Sequence, residues 1–180
     1  MISVAPFMID GAYLIHHETH EDERGEFTEF FNKGDLNLRN LPFNIDQVNY
    51  VKTKKKDTFR GLHFQLPPFP QAKIIRCLKG EILDYFVDIR PNSPTFKMRG
   101  VYYLAEDINV SIYLGTGISH AYTSITDDCL VQYLVSGPRI PDLERIIRWD
   151  DPDLNLGIEP AIMSDRDKNG SFLKDLLHEL

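Results

Sequence analysis

Apolar residues along this chain fall mostly in runs of five to eight, interleaved with polar positions and broken by glycine, proline and aspartate. Such short runs, several with a period of two, predict β-strands with one face buried. Strands are expected over "GAYLIHHE" (11–18), "GEFTEFF" (25–31), "IDQVNYVK" (45–52), "RGLHFQ" (60–65), "AKIIRCLKG" (72–80) and "EILDYFVDIR" (81–90). More follow over "GVYYLAE", "VSIYLG", "HAYTSITDD", "CLVQYLVS" and "ERIIRWDDP". Turn signals every ~8–12 residues suggest a sandwich or barrel. Helical spacing is clear only in the tail "SFLKDLLHEL", where Phe172, Leu173, Leu176, Leu177 and Leu180 share one face, and "FNKGDLNLRNL" offers room for a short helix. The expectation is an all-β antiparallel domain over residues 1–180 with a short C-terminal helix.

The totals narrow the picture. With 180 residues the chain suits one domain with a sizeable core. It has 42% hydrophobic and 26% charged residues, as a soluble globular protein does, and no apolar run long enough to span a membrane. The N-terminus "MISVAPFMID" has no basic region followed by an apolar one, so the expected location is the cytoplasm. A formal net charge of −7 argues against a nucleic-acid partner, since duplex binding rests on a basic face. The lysines of "KTKKKD" (52–57) read as a solvated turn, and Cys77 and Cys129 as buried free thiols.

Two histidines stand apart from the six. His63 lies in "RGLHFQ" three positions after Arg60, and His120 ends "GTGISH", just after a glycine-rich turn. His16, His17 and His20 sit in an acidic stretch and are expected to be exposed. A metal reading would join His63 and His120, but the position two after His63 is Gln65, and Lys73 stands where a further ligand would be sought. Asp84 and Asp88 share a strand face with Phe86; either is a strand-end group or, for Asp84, a support for a buried histidine. Tyr133 lies in an apolar strand, where a core tyrosine with a satisfied hydroxyl is the ordinary reading.

Taken together, "DERGEFTEFF", "DQVNY", "FRGLHFQLPPFPQAKIIRCLKGEILDYFVDIRPNSPTF", "ISHAY", "YLVSGPRIPDLERIIRWDDP" and "MSDRD" follow one another as in the dTDP-4-dehydrorhamnose 3,5-epimerase family, which the chain resembles over nearly its whole length. The resemblance implies a cupin-like jelly roll, a homodimer, no metal or other cofactor, and a nucleotide-linked 4-keto-6-deoxy sugar as substrate. It implies His63 as the base, Asp167 as the carboxylate that orients it, Tyr133 as the acid on the opposite face, and Lys73 beside the enolate oxygen. Arg24 and Arg60 would clamp the diphosphate, Phe27, Glu29, Gln47 and Asn49 would hold the nucleotide, and His120 would line the site. Some of these residues come from the neighbouring subunit in the family. The chain departs from the pattern after Tyr133: Leu134 replaces a lysine, and Pro138 and Arg139 replace a pair of aromatic residues, with Arg139 kept among the substrate-binding positions. "GISHAY" has Ala121 where glycine is common, and the tryptophan usual before Pro160 is missing. A C3 mono-epimerase or a 3,4-ketoisomerase is therefore the nearest alternative, ahead of a metal-dependent oxygenase or a non-catalytic binding module.

Overall fold

The computed structural model describes residues 2–180 and consists mainly of antiparallel strands. β1 (Ser3–Pro6), β2 (Ala12–His16), β10 (Val110–Leu114), β7 (Ala72–Lys79), β12 (Cys129–Ser136) and β5 (Gln47–Thr53) pair in that order into one sheet. A second sheet runs β13 (Glu144–Ile146), β6 (Phe59–Gln65), β11 (Ile118–Ser124), β8 (Glu81–Asp88), β9 (Arg99–Ala105). Chain neighbours change sheet at every step from β5 to β8 and again from β10 to β13, which is the winding of a jelly roll. β3 (Thr19–Asp22) and β4 (Gly25–Thr28) form a separate hairpin.

Between the sheets lies an apolar core that includes Ile75, Ile82, Phe86, Leu104, Ile112, Tyr122 and Val131. Each such side chain contributes roughly 1.5–3 kcal/mol by leaving water. Two outer layers complete the packing. The N-terminal segment and α1 (Lys33–Leu38, capped by the Asn32 side chain) cover the six-stranded sheet through Ile2, Leu36, Leu41 and Phe43. The C-terminal stretch covers the other through Ile147, Leu154, Leu173 and Leu176. Asp151, buried, ties that stretch down: its carboxylate accepts from the backbone amides of Asp153, Leu154 and Leu173.

The structure departs from the sequence reading in places that have local causes. The run "ERIIRWDDP" is a strand for only three residues, because Arg148 pairs with Ser171 instead of the sheet and the Asp151 turn begins. The tail helix α3 covers Leu173–Leu176 and passes into a 3₁₀ turn. β3, "THED", has no apolar alternation to reveal it and forms only against β4. His17, expected to be exposed, is buried: its Nε2 shares a 2.7 Å hydrogen bond with Ser111 Oγ and its ring packs on Phe30. Burial and the nearby Arg76 charge lower its pKa to about 4. Cys77 and Cys129 are buried free thiols as expected, and among the described residues no helix is long and apolar enough to cross a membrane.

Candidate active site

The strand that carries "RGLHFQ" does not alternate strictly. His63 stands opposite His120, yet Arg60 stands opposite Tyr122, so three steps along β6 match two along β11. One extra residue is accommodated at Gly61–Leu62 as a β-bulge. Gly61 has φ of +133°, and a Cβ there would fall 2.4 Å from the Ala121 Cβ, so only glycine lets the two strands meet. The bulge resets the alternation and turns Arg60 and His63 to the same inner face, while Phe59, Leu62 and Phe64 pack into the cluster on the other side.

His63 is held from outside the barrel. Its Nε2 lies 2.7 Å from Asp167 Oδ1, and the Asp167 side chain is 5% exposed against 41% for the imidazole. Asp167 rides on α2 (Asp165–Lys168), four residues capped by the Ser164 hydroxyl, which accepts from the Asp167 amide at 3.1 Å. Burial opposes the carboxylate's charge, but hydrogen bonding to His63 prevails, and its pKa lies below the ordinary value. A carboxylate only accepts, so Nε2 of the neutral ring carries the proton and Nδ1 keeps a free lone pair.

A second histidine–carboxylate pair lies deeper. His120 Nε2 is 2.7 Å from Asp84 Oδ2, with side-chain exposures of 4% and 0%. Burial raises the Asp84 pKa and lowers that of His120, so the pair resists separating charge. Tyr133 stands edge-on to the His120 ring, centroids 5.4 Å apart. Burial, followed by the neighbouring Tyr122 and Asp84, puts the Tyr133 phenol well above its ordinary pKa, and it keeps its proton. Lys73 Nζ donates to the His63 carbonyl at 3.3 Å. Desolvation lowers the Lys73 pKa to about 8 against the pull of Asp84 and Glu144.

His63, Lys73, Tyr133, Gln47, Asn49 and Arg139 line one cavity of about 180 Å³. Glu144, Arg145, Arg166 and Gln71 line it too, and were not singled out from the sequence. Glu144 bridges two guanidinium groups, Arg139 Nε at 2.7 Å and Arg166 Nη2 at 2.6 Å, so two cations face one carboxylate at the cavity mouth. The adjacency of Arg166 to Asp167 was the only hint available. The loop bearing Arg139 is pinned by buried Gln65, which donates to the Phe69 carbonyl and to the Pro138 carbonyl (2.9 Å) and accepts from the Ile140 amide (2.8 Å).

Other expected residues lie apart. His120 is behind the cavity wall rather than at its surface. Arg60 sits on the inner face with its Nε donating to Thr53 Oγ1 at 3.2 Å. Arg24 and Phe27 lie on the exposed β3–β4 hairpin, Arg24 paired with Asp22 and Phe27 67% exposed, and neither reaches the cavity of its own chain. Glu29, just beyond, accepts from Asn32 Nδ2 at 3.1 Å. His63 and His120 face each other in register, but each Nε2 is engaged by a carboxylate. Among the described residues no three or more His, Cys, Asp or Glu side chains gather to hold a metal ion.

Relatives place this geometry. The family model described as dTDP-4-dehydrorhamnose 3,5-epimerase matches residues 6–175. A protein of that description from Methanothermobacter thermautotrophicus is 32% identical over 172 residues, 93% of this chain and 92% of the relative. A Streptomyces dTDP-4-dehydro-6-deoxyglucose 3-epimerase is 36% identical over 174 residues, 93% of this chain and 87% of the relative. The crystal structure of the Bacillus anthracis dTDP-4-dehydrorhamnose 3,5-epimerase, with TDP and PPi bound, superposes with a TM-score of 0.92 at 30% identity, covering 96% of this chain and 99% of that one. With a matching family model over most of its length, the same jelly roll and relatives above 30% identity, the chain belongs to the dTDP-4-dehydrorhamnose 3,5-epimerase family of isomerases.

Proposed function

We propose that this protein epimerises a dTDP-linked 4-keto-6-deoxyhexose at C5, or at C3 and C5, by removing a proton and returning one to the opposite face. The observation that carries the reading is that His63, backed by Asp167, and Tyr133 line one cavity with Lys73. A carbonyl at C4 acidifies the hydrogens on C3 and C5. His63 Nδ1 takes one of them, and Asp167 stabilises the imidazolium that results. The electron pair moves onto the carbonyl oxygen, where the Lys73 ammonium offsets the enolate charge. Tyr133 then delivers its proton to the other face of the carbon. Each well-placed acid or base is worth ~10²–10⁴-fold in rate.

The nucleotide would lie toward Gln47, Asn49 and the mouth, where Arg139 and Arg166 together carry one more charge than Glu144 balances. Guanidinium groups suit phosphate oxygens by geometry as well as charge. Arg24, Phe27 and Glu29 have no place in the cavity of their own chain, so this reading has them act in the site of a second copy, in a homodimer. Arg60 would then join Arg24 on the diphosphate after leaving Thr53.

Proton NMR in deuterium oxide with dTDP-4-keto-6-deoxyglucose tests the reading. Loss of the H5 signal, alone or with H3, is expected; persistence of both signals would refute the assignment. A second reading, inversion at C3 alone, is favoured by the loss of the aromatic pair at Pro138 and Arg139 and would show as loss of H3 only.

Lys73 gives a pH prediction. Its ammonium is charged below about 8 and neutral above, so enolate stabilisation is lost as pH rises through that value. kcat should fall on the alkaline side with a midpoint near 8. A profile of Lys73→Met lacking that limb, on a rate lower by ~10²-fold, would match; an unchanged limb would assign it to another group.

A further inference from the structure

The β3–β4 hairpin carries Arg24 and Phe27, yet its strands pair only with each other and none of its residues joins an apolar core cluster. A two-stranded hairpin has little to hold it in place by itself, so its direction is set at its two feet. Those feet meet. His17, just before β3, and Phe30, just beyond β4, pack ring to ring with centroids 5.4 Å apart. The Arg76 guanidinium lies over the Phe30 ring, 5.2 Å from its centroid. Arg76 is on β7, on the outer face with Ile74, while Lys73 and Ile75 of the same strand face inward. The clasp is fixed from behind. His17 Nε2 shares a 2.7 Å hydrogen bond with Ser111 Oγ, and the His17 amide donates to the Asn109 carbonyl at 2.9 Å. Arg76 Nη2 donates to Asn109 Oδ1 at 3.1 Å, while Arg76 Nε is buried without a hydrogen-bond partner. A guanidinium so placed is held by the face of an aromatic ring rather than by a counter-charge. The His17 ring stays neutral beside it, since burial and Arg76 itself lower its pKa to about 4.

Resting on the functional reading above, in which the hairpin serves the site of a second copy, we propose that Phe30, gripped by Arg76 and His17, is a positioning residue for nucleotide binding. It aims Arg24, Phe27 and Glu29 at the partner's cavity before substrate arrives. Ordering the hairpin in advance spares binding the cost of immobilising it. The clasp touches no reacting atom, so it acts on affinity and leaves the proton transfers alone. One strand then serves two sites: Lys73 lines the cavity of its own chain, and Arg76 holds the hairpin that reaches into the other.

The test measures inversion rates with dTDP-4-keto-6-deoxyglucose for wild type, Phe30→Ala, Phe30→Tyr and Arg76→Met. Phe30→Ala and Arg76→Met should raise KM about 10-fold, the range of one desolvated cation–π contact, with kcat within about twofold of wild type. Phe30→Tyr keeps the ring face and should restore KM. A mixed dimer of one Phe30→Ala chain and one His63→Ala chain, isolated through two different tags, separates arm from site. Its only base sits in the Phe30→Ala chain and meets the intact hairpin of the His63→Ala chain, so KM should return to the wild-type value. A wild-type KM for both Phe30→Ala and Arg76→Met would overturn the clasp alone. So would a fall in kcat with KM unchanged, which would make Phe30 ordinary packing. A KM still raised in the mixed dimer would overturn the hairpin's service to a second copy, and the proposal with it. A wild-type protein that neither exchanges nor inverts would overturn the functional reading and the clasp together.

Discussion

Replacing His63 by alanine is expected to abolish deuterium incorporation into the sugar, by ~10³-fold or more, while dTDP still binds within about threefold of wild type. The two readouts separate because the imidazole stands apart from the residues read as nucleotide contacts. His63 on β6 pairs with Asp167, whereas Gln47 and Asn49 are on β5, the edge strand of the other sheet. Folding should survive the change, since the His63 side chain is 41% exposed and its loss opens no enclosed space. Asp167→Asn should give a smaller loss, because an amide can still hold the ring but can no longer stabilise an imidazolium, and its NH₂ can meet Nε2 only in the other tautomer. Exchange by His63→Ala at a rate within tenfold of wild type would move the base elsewhere. His120 would be the first alternative, since it has the same carboxylate-backed form, although it is 3% exposed and lies behind the cavity surface.

Most strands could be read from the chain because period-two alternation and burial between two layers are the same physical fact. β7, β8 and β12 are long, apolar on the inner face and closed by turns, and the structure has them where the pattern put them. What alternation cannot reveal is a break in itself. Arg60 and His63, three apart, would face opposite ways in a regular strand, and only the bulge at Gly61–Leu62 brings both to the inner face. Asp167 reaches His63 across 104 positions of chain, a contact set by how the C-terminal stretch folds back over the second sheet; local sequence carries no trace of it. It was legible only through family resemblance. The same holds for the carboxylate bridge: Glu144 opens a three-residue strand and Arg166 lies in a helix of four, both too short to announce a role by period. In contrast, Arg24, Phe27 and Glu29 lie on or just beyond a polar hairpin whose position relative to the cavity no pattern of apolar residues could specify.

Tyr133→Phe is expected to separate the two halves of the reaction. In the proposed mechanism removal of the first proton depends on His63 and on the positive charge of Lys73, so exchange should persist within a few-fold of wild type. Inversion should drop by ~10²-fold or more, because the face opposite His63 loses its donor. The proton returned by His63 then restores the starting configuration, now carrying deuterium. The ring remains: phenylalanine keeps the edge-on contact with His120 at 5.4 Å and the packing against the inner core, so a change in Tm of more than a few degrees would point to misfolding rather than chemistry. Because burial holds the Tyr133 phenol well above its ordinary pKa, wild type should show no loss of inversion from this group below the Lys73 midpoint near 8. The variant should therefore keep the alkaline fall in exchange while its inversion stays low at every pH. An equal loss of exchange and inversion would mean that the phenol serves the enolate itself, as a hydrogen-bond donor to the oxygen beside Lys73, and that the proton on the second face comes from elsewhere.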